Sequence, residues 1–288
     1  MNELHAPSVA AVTLGCKLNY AETSAILDRL SSEGWRIVSH ADGADMIIIH
    51  TCAVTREAER KCRQNIRRIV RRHPGSVVVV VGCYAQLRPG LLASIDGVHA
   101  VLGSNDKFDT AWYGRLVGMQ ASMKPFIRVS DIGSKQEIHA GYSLSNPSER
   151  DRTRAFLKIQ DGCDYGCAYC TIPLIRGHSR SLSPSVLLDR AHALAASGYR
   201  EIVLTGVNIG DYRFDRTSLA GLLGMLESVA VDRIRIGSIE PDILDDPLLD
   251  VVARSEKIAP HFHVPLQSGS DSVCQRSEER RVGKECRS

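Results

Sequence analysis

The chain has 288 residues, 43% of them hydrophobic and 24% charged, with a formal net charge of +3. That is ordinary globular material with room for about two domains; it excludes a disordered or fibrous chain and permits a nucleic-acid partner without requiring one. An aromatic content of 5% argues against a stacking platform for single strands, and with no secretory signal and no apolar run longer than stretches such as Val77–Val81, a soluble cytoplasmic protein without membrane contact is expected.

From residue 8 to about 105 the chain alternates strand-like and helix-like stretches. Val9–Thr13 reads as a strand, followed by the loop Leu14–Asn19. Ala21–Glu33 reads as an amphipathic helix closed by Gly34. Met46–Ile49 is a second buried strand, with Thr51 and Cys52 in the loop after it. A basic helix follows over Thr55–Arg72, ended by His73-Pro74-Gly75. Val77–Val81 is a third strand, and Gly82-Cys83 leaves it directly. Such alternation predicts a parallel sheet covered on both faces.

Cys16, Cys52 and Cys83 therefore share one address, the loop leaving the carboxyl end of a core strand. In an open α/β sheet those ends form the ligand crevice, so three cysteines distant in sequence can converge on one metal centre. Small buried packing residues are the alternative. Cys62 lies inside the basic helix, lacks that address, and is assigned to packing. The helix itself, with Arg56, Arg60, Lys61, Arg63, Arg67, Arg68, Arg71 and Arg72, is either a phosphate-attracting surface or a solvated face.

Residues 106–150 lose the pattern and read as a connection between domains. A second alternation starts with the buried strand Ala155–Ile159. The helix Pro184–Ser197, the strand Glu201–Thr205 and the helix Leu219–Val229 follow. The strand Arg233–Ile239, the helix Leu244–Ala253 and the strand His261–Val264 complete about four β/α units. Four units place polar residues at strand exits as a (β/α) barrel does, but cannot close one.

Directly after the first of these strands stand Cys163, Cys167 and Cys170, at a Cys-x3-Cys-x2-Cys spacing, with Gly162 and Gly166 to let the backbone fold back. Nine cysteines, an odd number, in a chain expected to be intracellular favour metal ligation over disulfides. Three ligands rather than four leave a metal position open for a small molecule. A zinc site completed by a distant residue is the bland alternative, though no second Cys-x2-Cys pair follows. The spacing resembles that of radical S-adenosylmethionine (SAM) enzymes. There the triplet binds a 4Fe-4S cluster whose open iron takes SAM.

A wider set of motifs agrees. Gly15-Cys16-Lys17-Leu18-Asn19, Thr51-Cys52-Ala53-Val54, Gly82-Cys83-Tyr84-Ala85-Gln86, Ile172–Gly177, Leu204-Thr205-Gly206-Val207-Asn208 and His263–Ser270 resemble the motif set of the methylthiotransferases, over residues 8–275. Gly15–Thr23 and Lys158–Cys163 look most like the branch acting on tRNA threonylcarbamoyladenosine. The isopentenyladenosine and ribosomal-protein aspartate branches differ around the first cysteine.

The resemblance implies an α/β protein, with a Rossmann-like parallel-sheet domain at 8–105, a linker at 106–150 and a partial radical-SAM barrel at 151–275. It implies that Cys16, Cys52 and Cys83 bind an auxiliary 4Fe-4S cluster and Cys163, Cys167 and Cys170 the SAM-binding one. It further implies that one SAM methylates a sulfur on the auxiliary cluster, and that a second is cleaved to a radical that takes the hydrogen from adenine C2. Tyr169 is expected against the adenine of SAM, and Asn208, Glu240 and Gln267 against its ribose or methionine part. Arg176, and less so Arg180, are expected to receive a carboxylate or phosphate. The partners implied are tRNA and an electron-donor protein. The final stretch, 276–288, is charged, aperiodic and similar to translated sequencing-adapter DNA, so it is set aside as non-native. The family's RNA-gripping C-terminal β-barrel and the remainder of the catalytic barrel have no counterpart in these 288 residues.

Overall fold

A computed structural model describes residues 6–117, 124–133, 138–142, 154–266 and 268–270. The chain divides into two compact units, Met1–Ser134 and Lys135–Ser288. Among the expected site residues, Gln267 lies outside the described residues, as does the 276–288 tail.

The first unit runs β1 (Ser8–Thr13), α1 (Lys17–Ser32), β2 (Arg36–Ile37), β3 (Met46–Thr51), α2 (Arg56–Arg72), β4 (Val77–Gly82), α3 (Cys83–Leu87), α4 (Pro89–Ala93), β5 (Ala100–Leu102), α5 (Ala111–Leu116) and β6 (Phe126–Arg128). Its six strands form one sheet in the order β2-β1-β3-β4-β5-β6, every pair parallel. The centre is the run of β-branched residues in β3 and β4, buried on both faces, as a parallel sheet under helices requires. Helix α1 begins at Lys17, earlier than its apolar period suggests. Its N-cap is Cys16, which offers no side-chain capping bond, so no Ser, Thr, Asp or Asn signal marks the start. Helix α2 starts where Thr55 accepts from the Ala58 N–H. It faces the sheet with Cys62, Ile66 and Ile69. The stretch read as a connector contributes β6 to this sheet. There Phe126 stacks on Trp112 of α5, with ring centroids 4.8 Å apart.

The second unit runs β7 (Arg154–Lys158), β8 (Gln160–Asp161), α6 (Ile172–Arg176), β9 (Arg180–Ser181), α7 (Pro184–Ala196), β10 (Glu201–Thr205), β11 (Arg213–Phe214), β12 (Thr217–Ser218), α8 (Leu219–Leu226), β13 (Arg233–Arg235) and α9 (Asp246–Arg254). Its parallel sheet has the order β13-β10-β7, and β8 pairs with β9 as an antiparallel ribbon. Leu187, Ala191 and Leu194 of α7, together with Leu222, Leu223 and Leu226 of α8, pack with Leu157, Ile202, Leu204 and Ile234 in one core. The strand expected at His261–Val264 does not form; the segment makes one parallel bridge, Ser238 to His263. Pro260 and Pro265 flank it and cannot donate to a ladder, and Val264 and Leu266 are exposed. The strand expected over Arg233–Ile239 ends at Arg235, where its pairing with β10 stops at Val203.

Candidate metal centres

In the first unit, β1, β3 and β4 are adjacent and parallel, so their carboxyl ends lie together. Cys16 follows β1 as the N-cap of α1. Cys52 and Cys83 are the next residues after Thr51 and Gly82, which are register partners. Neighbouring strands stand about 4.8 Å apart, so topology brings three thiols distant in sequence to one sheet end. Gly15 packs so tightly here that a Cβ on it would sit 3.2 Å from the Cβ of Cys52 and 2.6 Å from Nδ2 of Asn19.

Asn19, on the first turn of α1, closes the Gly15–Asn19 motif, and the sequence assigns it no role of its own. It is fully buried; Nδ2 donates to the Thr51 carbonyl at 3.1 Å, and Oδ1 lies 3.6 Å from the Cys16 thiol. The Thr51 hydroxyl in turn donates to the Val81 carbonyl at 2.7 Å. A continuous set of bonds therefore links the three strand ends that bear the cysteines. Cys62 does more than fill space. Its thiol donates to the Cys52 carbonyl at 3.4 Å and accepts from the Cys52 N–H at 3.5 Å. Burial pushes that thiol up to about 11, and the proximity of Cys52 and Cys83 adds to the rise.

Beneath this end sits a fully buried polar network. Lys107 Nζ donates to Glu22 Oε2 at 2.6 Å and lies 3.3 Å from Nε2 of His50, while His50 Nδ1 meets the Thr23 hydroxyl at 2.8 Å. All three ionisable side chains are 0% exposed. Two charges this deep persist only because each satisfies the other, with the imidazole and hydroxyl completing the set.

In the second unit the cysteines lie on the loop between β8 and α6. Gly162 has φ +75°, and a Cβ there would be 1.9 Å from the His178 carbonyl oxygen, so a side chain is sterically excluded. The left-handed glycines among the described residues include Gly162 but not Gly166. The loop is pinned by Cys163 N–H to the Gly177 carbonyl (3.0 Å) and by Cys170 N–H to the Cys167 carbonyl (3.0 Å). Burial drives the Cys163 thiol up to about 11, and the Cys170 and Cys167 thiols beside it push the same way. A part-buried sulfur with two others beside it is costly as a thiolate until a cation joins it. Among the described residues no group of three His, Cys, Asp or Glu side chains is tight enough to hold a single metal ion. A cubane imposes no such demand, since each thiolate binds a different iron.

Gln160, fully buried, ties this loop to the exit of β10. Its Oε1 accepts from the N–H groups of Val207 (3.0 Å) and Asn208 (2.9 Å), and its Nε2 donates to the Gly162 carbonyl at 2.7 Å. Asn208 is 3% exposed; among the described residues neither Nδ2 nor Oδ1 reaches a partner at full hydrogen-bond geometry, although the amide lies beside the Tyr165 hydroxyl. A buried amide in that state calls for a polar ligand. Nearby, the Tyr165 hydroxyl donates to Asp242 Oδ2 at 2.5 Å, and burial followed by this contact drives the phenol's pKa upward. Glu240 lies just before Asp242 and is half-buried. Crowded thiols, an unsatisfied amide and acidic neighbours fit a cationic cluster carrying a ligand with amino and carboxylate groups.

Tyr169, expected against a ligand ring, is 57% exposed. Arg176 is 2% exposed and its Nη1 donates to Asp161 Oδ1 at 3.0 Å, so it braces the loop instead of presenting a cation outward. Asp161 also binds Lys158 Nζ at 2.6 Å. Arg180 folds back to donate to the Arg176 carbonyl.

Residues 8–103 match the family model described as uncharacterized protein family UPF0004, and residues 157–287 match that of the radical SAM superfamily. The chain is 40% identical, over 93% of its length and 59% of the relative's, to the threonylcarbamoyladenosine tRNA methylthiotransferase MtaB of Bacillus subtilis. It is 34% identical to that of Aquifex aeolicus, over 92% of this chain and 64% of the relative. It is 30% identical to that of Treponema pallidum, over 93% of this chain and 67% of the relative. The chain thus spans less than two thirds of the length of the first two. Among solved structures, the radical S-adenosylmethionine methyltransferase TsrM from Kitasatospora setae matches with a TM-score of 0.64 and 15% identity, covering 93% of this chain and 60% of TsrM; this is a likeness of fold. The chain belongs to the radical-SAM methylthiotransferase family, in its MtaB-like branch.

Proposed function

We propose that this chain carries both cluster-binding parts of a cytoplasmic tRNA methylthiotransferase, one that places a methylthio group on C2 of N6-threonylcarbamoyladenosine beside the anticodon. The observation that carries the reading is the delivery of Cys16, Cys52 and Cys83 to one end of a parallel sheet, in a chain whose second unit has its own cysteine trio. When bound, two 4Fe-4S clusters and SAM supply the sulfur, methyl and radical chemistry that side chains lack.

The residues supply placement. Cys16, Cys52 and Cys83 hold the auxiliary cluster, and Cys163, Cys167 and Cys170 the SAM-binding one, three ligands each leaving a position open. Asn208 offers both amide atoms to the polar end of SAM, with Glu240, Tyr169 and Gln267 completing the contacts. Arg176, through Asp161, holds the loop under the cysteines. Arg180 stands beside it, donating to the Arg176 carbonyl. Orientation of this kind is the protein's share of radical catalysis. A tRNA and an electron-donor protein are the partners, and no helix among the described residues is long and apolar enough to cross a membrane.

Anaerobic reconstitution tests the reading: it is expected to load about eight irons per chain with a brown chromophore. Colourless zinc uptake would overturn it. Substrate class is read by nucleoside analysis in a strain lacking the full-length protein. Loss of the methylthio form of threonylcarbamoyladenosine is expected; loss of the isopentenyl counterpart, or of a modified ribosomal-protein aspartate, would reassign the substrate.

A further inference from the structure

We infer that the outer face of α2 receives the sugar-phosphate backbone of the RNA substrate, an inference that rests on the tRNA reading above. The helix carries eight cations in 17 residues, and seven of them are arginines. Its buried side, Cys62, Ile66 and Ile69, is a narrow stripe, and at about 100° per residue the cations spread over roughly half the cylinder. At about 1.5 Å per residue that face is about 25 Å long.

Internal pairing accounts for the first half of the helix only. Glu57 binds Arg60 and Lys61, and Glu59 binds Arg63. Arg67, Arg68, Arg71 and Arg72 are exposed and form no ion pair among the described residues. Arg67 faces Arg71 and Arg68 faces Arg72 at i,i+4, a like-charge spacing that destabilises an isolated helix. Interaction with the helix dipole offsets part of this, but only in the last turn. These four guanidiniums, without a carboxylate partner among the described residues, planar and multiply donating, suit phosphate oxygens better than they suit bulk solvent.

Position gives the face its purpose. Helix α2 leaves the strand end just past Cys52, and Cys62 on its inner side bonds to the Cys52 backbone. The helix therefore starts at the end of the sheet that gathers Cys16, Cys52 and Cys83 and carries Arg67, Arg68, Arg71 and Arg72 about 16–24 Å further along, so a polyanion held by them lies along the helix in line with that end. Few aromatics accompany it, so the contact is with backbone and not with bases.

The test uses the whole chain and a fluorescent anticodon stem-loop RNA, with anisotropy followed over a salt series. The variant R67Q/R68Q/R71Q/R72Q leaves the buried stripe intact, and circular dichroism checks its fold. Its affinity is expected to fall about tenfold or more near 100 mM salt, and the slope of log K against log salt to become shallower by about 3. A control, R213Q/R216Q/R233Q, removes exposed arginines of the second unit and keeps most of the affinity. Unchanged affinity and slope in the α2 variant overturn the inference, as does an absence of RNA binding by the unmodified chain at low salt. Polyglutamate competing as well as RNA overturns it too, assigning the face to an acidic protein. Iron content, measured in parallel, separates the two readings. A chain that loads iron but binds RNA independently of α2 loses only this surface. One that loads none, yet loses RNA affinity in the variant, loses the enzyme reading and keeps the surface.

Discussion

The two cysteine trios reach similar ends by opposite routes. Cys163, Cys167 and Cys170 are neighbours in sequence, and one glycine-dependent loop brings them together. Cys16, Cys52 and Cys83 are separated by whole β/α units and meet only because β1, β3 and β4 stand side by side. A local trio needs a loop, whereas a dispersed trio needs a finished sheet. The supporting charges differ accordingly. Asp161, Lys158 and Arg176 come from one short segment, but Lys107 reaches Glu22 across 85 residues.

The sharpest way to break the comparison is to remove one cysteine from each side. Cys52→Ala and Cys167→Ala are each expected to halve the iron content, and only Cys167→Ala should abolish reductive cleavage of SAM to 5′-deoxyadenosine. Loss of both clusters from either single variant would show that the trios do not assemble independently. A smaller effect is expected from Lys107→Met, which strands the Glu22 carboxylate in the core. It should cost about 3–5 kcal/mol in urea unfolding of the first unit. The double variant Glu22→Gln/Lys107→Met should recover most of that, because no lone charge remains. In the second unit, Asn208→Ala removes a buried amide that lies beside the Tyr165 hydroxyl. Fold stability should hold, while SAM affinity falls about tenfold, the loss of roughly one good polar contact. Equilibrium binding of SAM to the reconstituted chain measures it. The smallest change is Thr55→Ala, which deletes the bond to Ala58 at the start of α2 and should cost about 1 kcal/mol in thermal unfolding.

Much of this was legible in residue order. Runs such as Met46–Ile49 and Val77–Val81 announce buried parallel strands, and a cysteine at each exit follows directly from them. Other parts were hidden for identifiable reasons. Strands β2, β5 and β6 are too short to show a period. The start of α1 lacked a capping side chain. His261–Val264 has strand-like residues but, among the described residues, makes only the bridge from His263 to Ser238. Most instructive is Arg176, whose charge suggested an outward role until Asp161 was found to occupy it. Lys107 carries no motif, and Asn19 and Gln160 stand in motifs that assign them no role; the importance of all three lies in which backbone or carboxylate they reach, and that is decided by tertiary structure.

Gln160 has one more implication. A single carboxamide grips the peptide groups that follow β10 on one side and the carbonyl preceding Cys163 on the other. Neither segment can relax without releasing the other, so occupancy at Asn208 and order in the cysteine loop rise and fall as one event. Amide exchange in residues 207–208 and 162–163 should slow together when SAM is added, even though the two stretches lie far apart in the chain.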